Sequence, residues 1–145
     1  MNSQNVEILL VEDDLGDIDL IEESFVESQL QVNINVVRDG VEAIAYLNQE
    51  PKYANAIRPD LILLDLNLPR KNGQEVLADL KTDPNLKSIP VVIMSNSDAE
   101  EDIARSYDLG ANCYVKKPIR LKDFITIVRS IESFWFTIVK LPPRI

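Results

Sequence analysis

The chain has 145 residues, 15 of them Lys or Arg and 24 Asp or Glu, giving a formal charge of −9 with no histidine. That length suits one domain with a proper core, one that buries roughly 68–70% of its unfolded surface. The acidity, with no basic run, argues against nucleic acid as a partner; the missing histidine excludes catalytic triads, His-ligated zinc and His-to-phosphate chemistry; and the lone Cys113 excludes an internal disulfide or a multi-cysteine metal cluster. No apolar run reaches membrane-spanning length, and Met1 to Val6 lacks the basic and apolar regions of a signal peptide. The expectation is therefore a cytoplasmic protein without a membrane partner.

Along the chain, the first buried strand is predicted at Ile8 to Val11, followed by a helical face of Ile18, Ile21 and Phe25. Val32, Ile34 and Val36 alternate with Asn33 and Asn35, which predicts an edge strand, and Val41, Ile44 and Leu47 mark the next helix. Glu50 to Pro59 is a long connection, predicted as an exposed loop before the wholly apolar strand Leu61 to Leu64. A helix on Val76, Leu77 and Leu80 follows, then the buried strand Val91 to Met94. Ser97 and Glu100 have capping-box spacing ahead of a helix on Ile103, Ala104 and Tyr107. Cys113 to Val115 is predicted as a second edge strand, with Cys113 a packing residue, and a helix is predicted from about Arg120 to Val139. Strand and helix alternate throughout, so the fold class is α/β: a doubly wound, five-stranded parallel sheet in the flavodoxin-like order 2-1-3-4-5. The domain boundaries are 1–145, one unit with an extended C-terminal helix and tail over about 120–145.

In such a sheet, ligands bind beyond the carboxyl ends of the strands. Strand 1 ends there in Glu12, Asp13 and Asp14; strand 3 in Asp65, followed by Asn67; strand 4 in Ser95; and strand 5 is followed by Lys116, Lys117 and Pro118. Clustered carboxylates repel unless a cation joins them, and an oxygen-only donor set favours Mg²⁺. Ser95 and a lysine add a hydrogen bond and a positive charge for an anion, so the parts suit phosphoryl transfer to Asp65. Taken singly, Asp14 and Asp17 read equally well as helix caps, Lys117 as a surface charge and Ser95 as a turn residue. Their convergence at four strand ends is what favours a site. The acids from Asp13 to Asp19 fit no calcium-loop register, and Gly16, Gly40, Gly73 and Gly110 are too dispersed for a nucleotide-binding fingerprint.

With these residues the chain resembles a response-regulator receiver domain of two-component signalling over essentially its whole length. The resemblance implies that Glu12 and Asp13 are the acidic pair that helps hold Mg²⁺, and that Asp65 is both phosphoacceptor and metal ligand. It also implies that Asn67 offers a backbone carbonyl to the metal, that Ser95 is the switch hydroxyl, Tyr114 the switch aromatic and Lys117 the phosphate-pairing lysine, with Lys116 only a neighbour. The segments DLILLDLNLPRKNG, SYDLGANCYVKKP and FWFTIVKLPP are similar to single-domain regulators paired with cyanobacterial phytochrome-type kinases. Asn96 departs from the small residue usual after the switch Ser or Thr, which implies altered access of water to the phosphoryl group. The implied partners are a histidine kinase, phytochrome-type, and a downstream protein reached through a surface. Two other readings stand beside the switch. A phosphatase forming an aspartyl-phosphate would need a second acid where Asn67 stands, and a phosphorylation-independent scaffold would usually have lost one of the site residues.

The final helix would extend on the order of 30 Å, beyond the roughly 17–20 Å of a strand. Its last turns carry Phe134, Trp135, Phe136, Ile138 and Val139, apolar on more than one face. This surplus predicts a homodimer through Phe134, Trp135, Phe136 and Ile138, on the commonest symmetry. The competing reading folds the tail back over its own domain, with Pro142 and Pro143 stopping the helix.

Overall fold

The computed structural model describes residues 5–26, 28 and 30–143. Its strands are β1 (Asn5–Val11), β2 (Gln31–Val37), β3 (Leu61–Leu64), β4 (Val91–Ser95) and β5 (Cys113–Lys116), and its helices α1 (Leu15–Ser24), α2 (Gly40–Leu47), α3 (Gly73–Thr82), α4 (Glu100–Asp108) and α5 (Leu121–Ser133). All pairings are parallel in the order β2-β1-β3-β4-β5, with Val11 beside both Val37 and Leu64, Leu64 beside Ile93, and Ser95 beside Lys116. The predicted sheet is thus observed, and its two alternating or short strands are the edges.

Side chains alternate between the sheet faces, so β1 feeds two cores. Leu9 and Val11 join Ala43 and Tyr46 of α2 and Val76, Leu77 and Leu80 of α3. Ile8 and Leu10 join Ile18 and Ile21 of α1 and Phe124, Val128 and Ile131 of α5. Burial on both faces explains why β3 and β4 are continuous apolar runs.

Four local expectations are corrected. In α2 the buried positions include Ala43, Tyr46 and Leu47, while Val41 stays exposed, because Tyr46 fills more of the core than the valine could. In α4 the buried residue is Ser106, and Tyr107 is exposed; the hydroxyl of Ser106 donates to the Asp102 carbonyl (2.8 Å), which satisfies the serine inside. The Ser97–Glu100 capping box does not form: Ala99 is the N-cap, and Ser97 Oγ donates to Asp102 Oδ2 (2.6 Å). The long C-terminal α-helix ends at Ser133, and Phe134–Ile138 form a π-helical turn. That wider turn rotates Trp135 and Phe136 onto the α1/α5 core and leaves Phe134 and Ile138 exposed.

Candidate functional site

The carboxyl edge is built by short, well-anchored loops. Glu12 follows β1 with its N–H donating to the Val37 carbonyl (3.1 Å), and its Oε2 accepts the N–H groups of Asp13 and Asp14 (3.1 Å each). Asp14 caps α1 by accepting from the Asp17 N–H (2.9 Å), so its role is structural. Asp65 is fixed by its N–H to the Val11 carbonyl (3.0 Å). The loop beyond it turns into α3 through a realised capping box of Asn72 and Glu75. Gly73 allows that turn, because a Cβ there would stand 2.2 Å from the Asp65 carbonyl oxygen.

Lys117 is the centre of the site. Its side chain is only 2% exposed, and Nζ reaches Glu12 Oε1 at 2.7 Å, Asp17 Oδ2 at 2.9 Å and Asp65 Oδ2 at 3.4 Å. Burial works against its charge, yet the hydrogen bonds to Glu12 and Asp17 and the charges of Asp65 and Glu12 hold the ammonium above its ordinary value. Three carboxylates on one ammonium leave excess negative charge. Burial accordingly pushes Glu12 up to about 7, with Asp65 adding to the rise and the Lys117 hydrogen bond opposing it. Lys117 thus stands between the three carboxylates and neutralises part of their charge.

Asp17 was legible only as a cap, since a carboxylate in the first turn of a helix fits that pattern; its side chain instead completes the Lys117 cage. The signal available was its place in the first turn of α1, directly after the acidic loop. Asp13 points outward, half-exposed, with Arg38 Nη2 3.8 Å from its Oδ1. Asn67 and Asn96 are exposed. Lys116 pairs with Asp98 on the surface (3.1 Å), outside the site.

Ser95 is fully buried, its Oγ accepting from the Ser97 N–H (3.2 Å) and its carbonyl from the Lys117 N–H (2.7 Å). Tyr114 on β5 donates its hydroxyl to the Ser97 carbonyl (2.8 Å). One short loop therefore connects the Ser95 hydroxyl to the Tyr114 ring.

A divalent ion has a chemically suitable place here. Among the described residues, Asp65 Oδ1 is the buried side-chain oxygen without a hydrogen-bond partner. Hard carboxylate oxygens on Glu12, Asp13 and Asp65 are the donors such ions take. No three such side chains already converge as a cage among the described residues.

A doubly wound sheet with an aspartate after its third strand, acids after its first and a buried lysine after its fifth defines a receiver. The response regulator receiver domain model matches residues 8–129, and the chain belongs to that family. It is 49% identical to Response regulator Rcp1 of Synechocystis sp., over 93% of this chain and 92% of that one. The crystal structure of the phosphorylated cyanobacterial phytochrome response regulator RcpA superposes with a TM-score of 0.92 at 54% identity, covering 97% of this chain and all of the other. The Mn²⁺-bound form of Rcp1 gives 0.89 at 48% identity, covering 95% of this chain and 99% of that one. The chain is thus closely related to phytochrome response regulators and has the phosphoacceptor role in two-component signalling. No helix among the described residues is long and apolar enough to cross a membrane.

Proposed function

We propose that Asp65 accepts a phosphoryl group from a phytochrome-type histidine kinase and that the phosphorylated chain signals to a protein partner. The supporting observation is the pairing of Asp65 with Lys117 at a buried strand end, with the second carboxylate oxygen of Asp65 unpartnered. Glu12, Asp13, Asp65 and the Asn67 carbonyl would hold Mg²⁺, which when bound offsets the negative charge of the acceptor and the incoming phosphoryl group. An Asp65 carboxylate oxygen forms the new P–O bond as the P–N bond of the kinase's phosphohistidine breaks, and the imidazole, protonated on its other ring nitrogen, leaves neutral. Lys117, already charged and held by Glu12 and Asp17, pairs with a phosphoryl oxygen without first gaining a proton.

Ser95 then turns its hydroxyl toward the new oxygens, which releases the Ser97 N–H and shifts the loop that holds Tyr114. The exposed Phe134 and Ile138, four residues apart on the C-terminal turn, form the centre of a homodimer face flanked by Trp135 and Phe136. Incubation with Mg²⁺ and acetyl phosphate tests the phosphoacceptor reading. A stable adduct of one phosphoryl group is the expected result. Continuous phosphate release would make the chain a phosphatase, and no reaction would leave it a scaffold.

A further inference from the structure

At the end of the sheet opposite Asp65, a cavity of about 750 Å³ lies between β2 and the loop over residues 51–57. Its floor includes Glu7, a carboxylate inside β1 that is 4% exposed and takes no part in the phosphorylation site. Glu7 Oε2 accepts from Asn33 Nδ2 at 2.7 Å, while Oε1 has no hydrogen-bond partner among the described residues. Nor does any described Lys or Arg come within ion-pair distance of Glu7. Lys52 lines the cavity but donates its Nζ to Glu42 at 2.7 Å. The Glu7 N–H donates to Asp60 Oδ2 at 2.9 Å, which fixes the backbone of β1 beside the cavity. With Oε2 held by Asn33 and no described Lys or Arg beside it, the Glu7 carboxylate keeps one oxygen available as an acceptor in the cavity wall.

The walls give this acceptor its surroundings. Asn35 lines the cavity beside Glu7, and Tyr46 stands near enough for the Glu7 charge, after burial itself, to raise its hydroxyl pKa, so the phenol stays protonated. The Tyr46 and Tyr53 rings meet edge to face at 5.2 Å and provide an apolar wall. We propose that this cavity binds an alkyl ammonium group, its charge on Glu7 Oε1 and its stem against the tyrosine rings. A guanidinium fits less well, because its planar fork takes both oxygens of a carboxylate and Oε2 already holds Asn33. Three diverging ammonium donors match one carboxylate oxygen together with separate amide and phenol oxygens. The group belongs either to a free amine or to a lysine side chain of a partner protein.

The test is an NMR titration of the ¹⁵N-labelled full chain in saturating MgCl₂, which keeps amines from the acidic cluster around Asp65. The probes are putrescine, a lysine tripeptide blocked at both ends, and n-butanol as the uncharged control. The proposal expects saturable shifts at Glu7, Asn33, Asn35 and Tyr46 with at least one amine, none with butanol, and binding weaker by about tenfold or more in Glu7→Gln. Tighter binding of the peptide assigns a partner lysine, and tighter binding of putrescine a free amine. Unsaturable shifts, equal shifts with butanol, or unchanged affinity in Glu7→Gln would overturn it. Should Glu7→Gln fail to fold, Asn35→Leu on the cavity wall carries the same comparison.

Discussion

Replacing Lys117 by Met removes the ammonium and keeps most of the side-chain volume, so it isolates the charge. Glu12 and Asp65, whose side chains are 2% and 6% exposed, lose the cation between them, whereas Asp17, at 21%, regains water. Breaking a buried pair by removing one partner costs on the order of 3–5 kcal/mol. The lower end applies, about 3 kcal/mol, because Asp17 rehydrates and because Glu12, already pushed up to about 7, relieves repulsion by taking a proton. The sign with pH follows. A lysine held above its ordinary 10.5 contributes its full stabilisation below that value and loses it only as pH rises through the folded value, so a measurement at about pH 8 sees all of it. In the mutant, folded Glu12 loses the Lys117 hydrogen bond that held its pKa down and binds a proton at higher pH than in the wild type. The deficit therefore shrinks as pH falls from about 9 toward 6, by at most about 1.4 kcal/mol per unit for each extra proton. Added Mg²⁺ should recover part of the loss, since it supplies positive charge to the same oxygens. Urea denaturation followed by Trp135 fluorescence, in EDTA and in Mg²⁺, reads these effects. A loss below about 1 kcal/mol that does not vary with pH would refute the assignment of Lys117 as the neutralising centre.

Asp13→Ala should weaken Mg²⁺ binding at least about tenfold while changing stability by less than about 0.5 kcal/mol, since Asp13 is half-exposed and its ion pair with Arg38 is long; NMR titration and denaturation check the two halves. Ser95→Ala should still accept a phosphoryl group but transmit it poorly, with the Tyr114 ring resonances of the phosphorylated mutant staying near their unphosphorylated positions; full Tyr114 shifts in that mutant would break the proposed coupling. Removing residues 134–145 should convert a dimer to a monomer by light scattering, and Phe134→Ala with Ile138→Ala should do so with Phe136 kept on the core, the loss of the Phe134–Trp135 ring contact (5.3 Å) being local to the turn. A dimer unchanged by both would move the interface elsewhere.

The sheet and the principal site were legible because their signals are local. A four-residue apolar run such as Leu61–Leu64 has nowhere to go but the centre of a parallel sheet, and a carboxylate closing it stands at the ligand edge. Other features depended on what comes near in space. Asp17 matched a cap by position, and only the approach of Lys117 from 100 residues away reveals its other partner. Ser97 had the right spacing for a capping box, but Asp102 competes for its hydroxyl. On α2 the expected Ile44 and Leu47 do meet the core and only Val41 gives way to Tyr46, whereas the face of α4 was misphased because a hydrogen-bonded Ser106 is buried in place of residues with higher hydrophobicity. Glu7 left no trace in the pattern of β1, where its neighbours are apolar, and its cavity exists only because the loop over residues 51–57 folds beside β2.

The central claim is that the acceptor is Asp65. Intact-mass and peptide mapping after incubation with acetyl phosphate and Mg²⁺ test it directly, using wild type and Asp65→Asn. A single phosphoryl adduct confined to the peptide containing Asp65, and absent from a folded Asp65→Asn, is the predicted result. The same adduct on Asp65→Asn, or one mapped to Asp13, Asp14 or Asp17, would contradict the account.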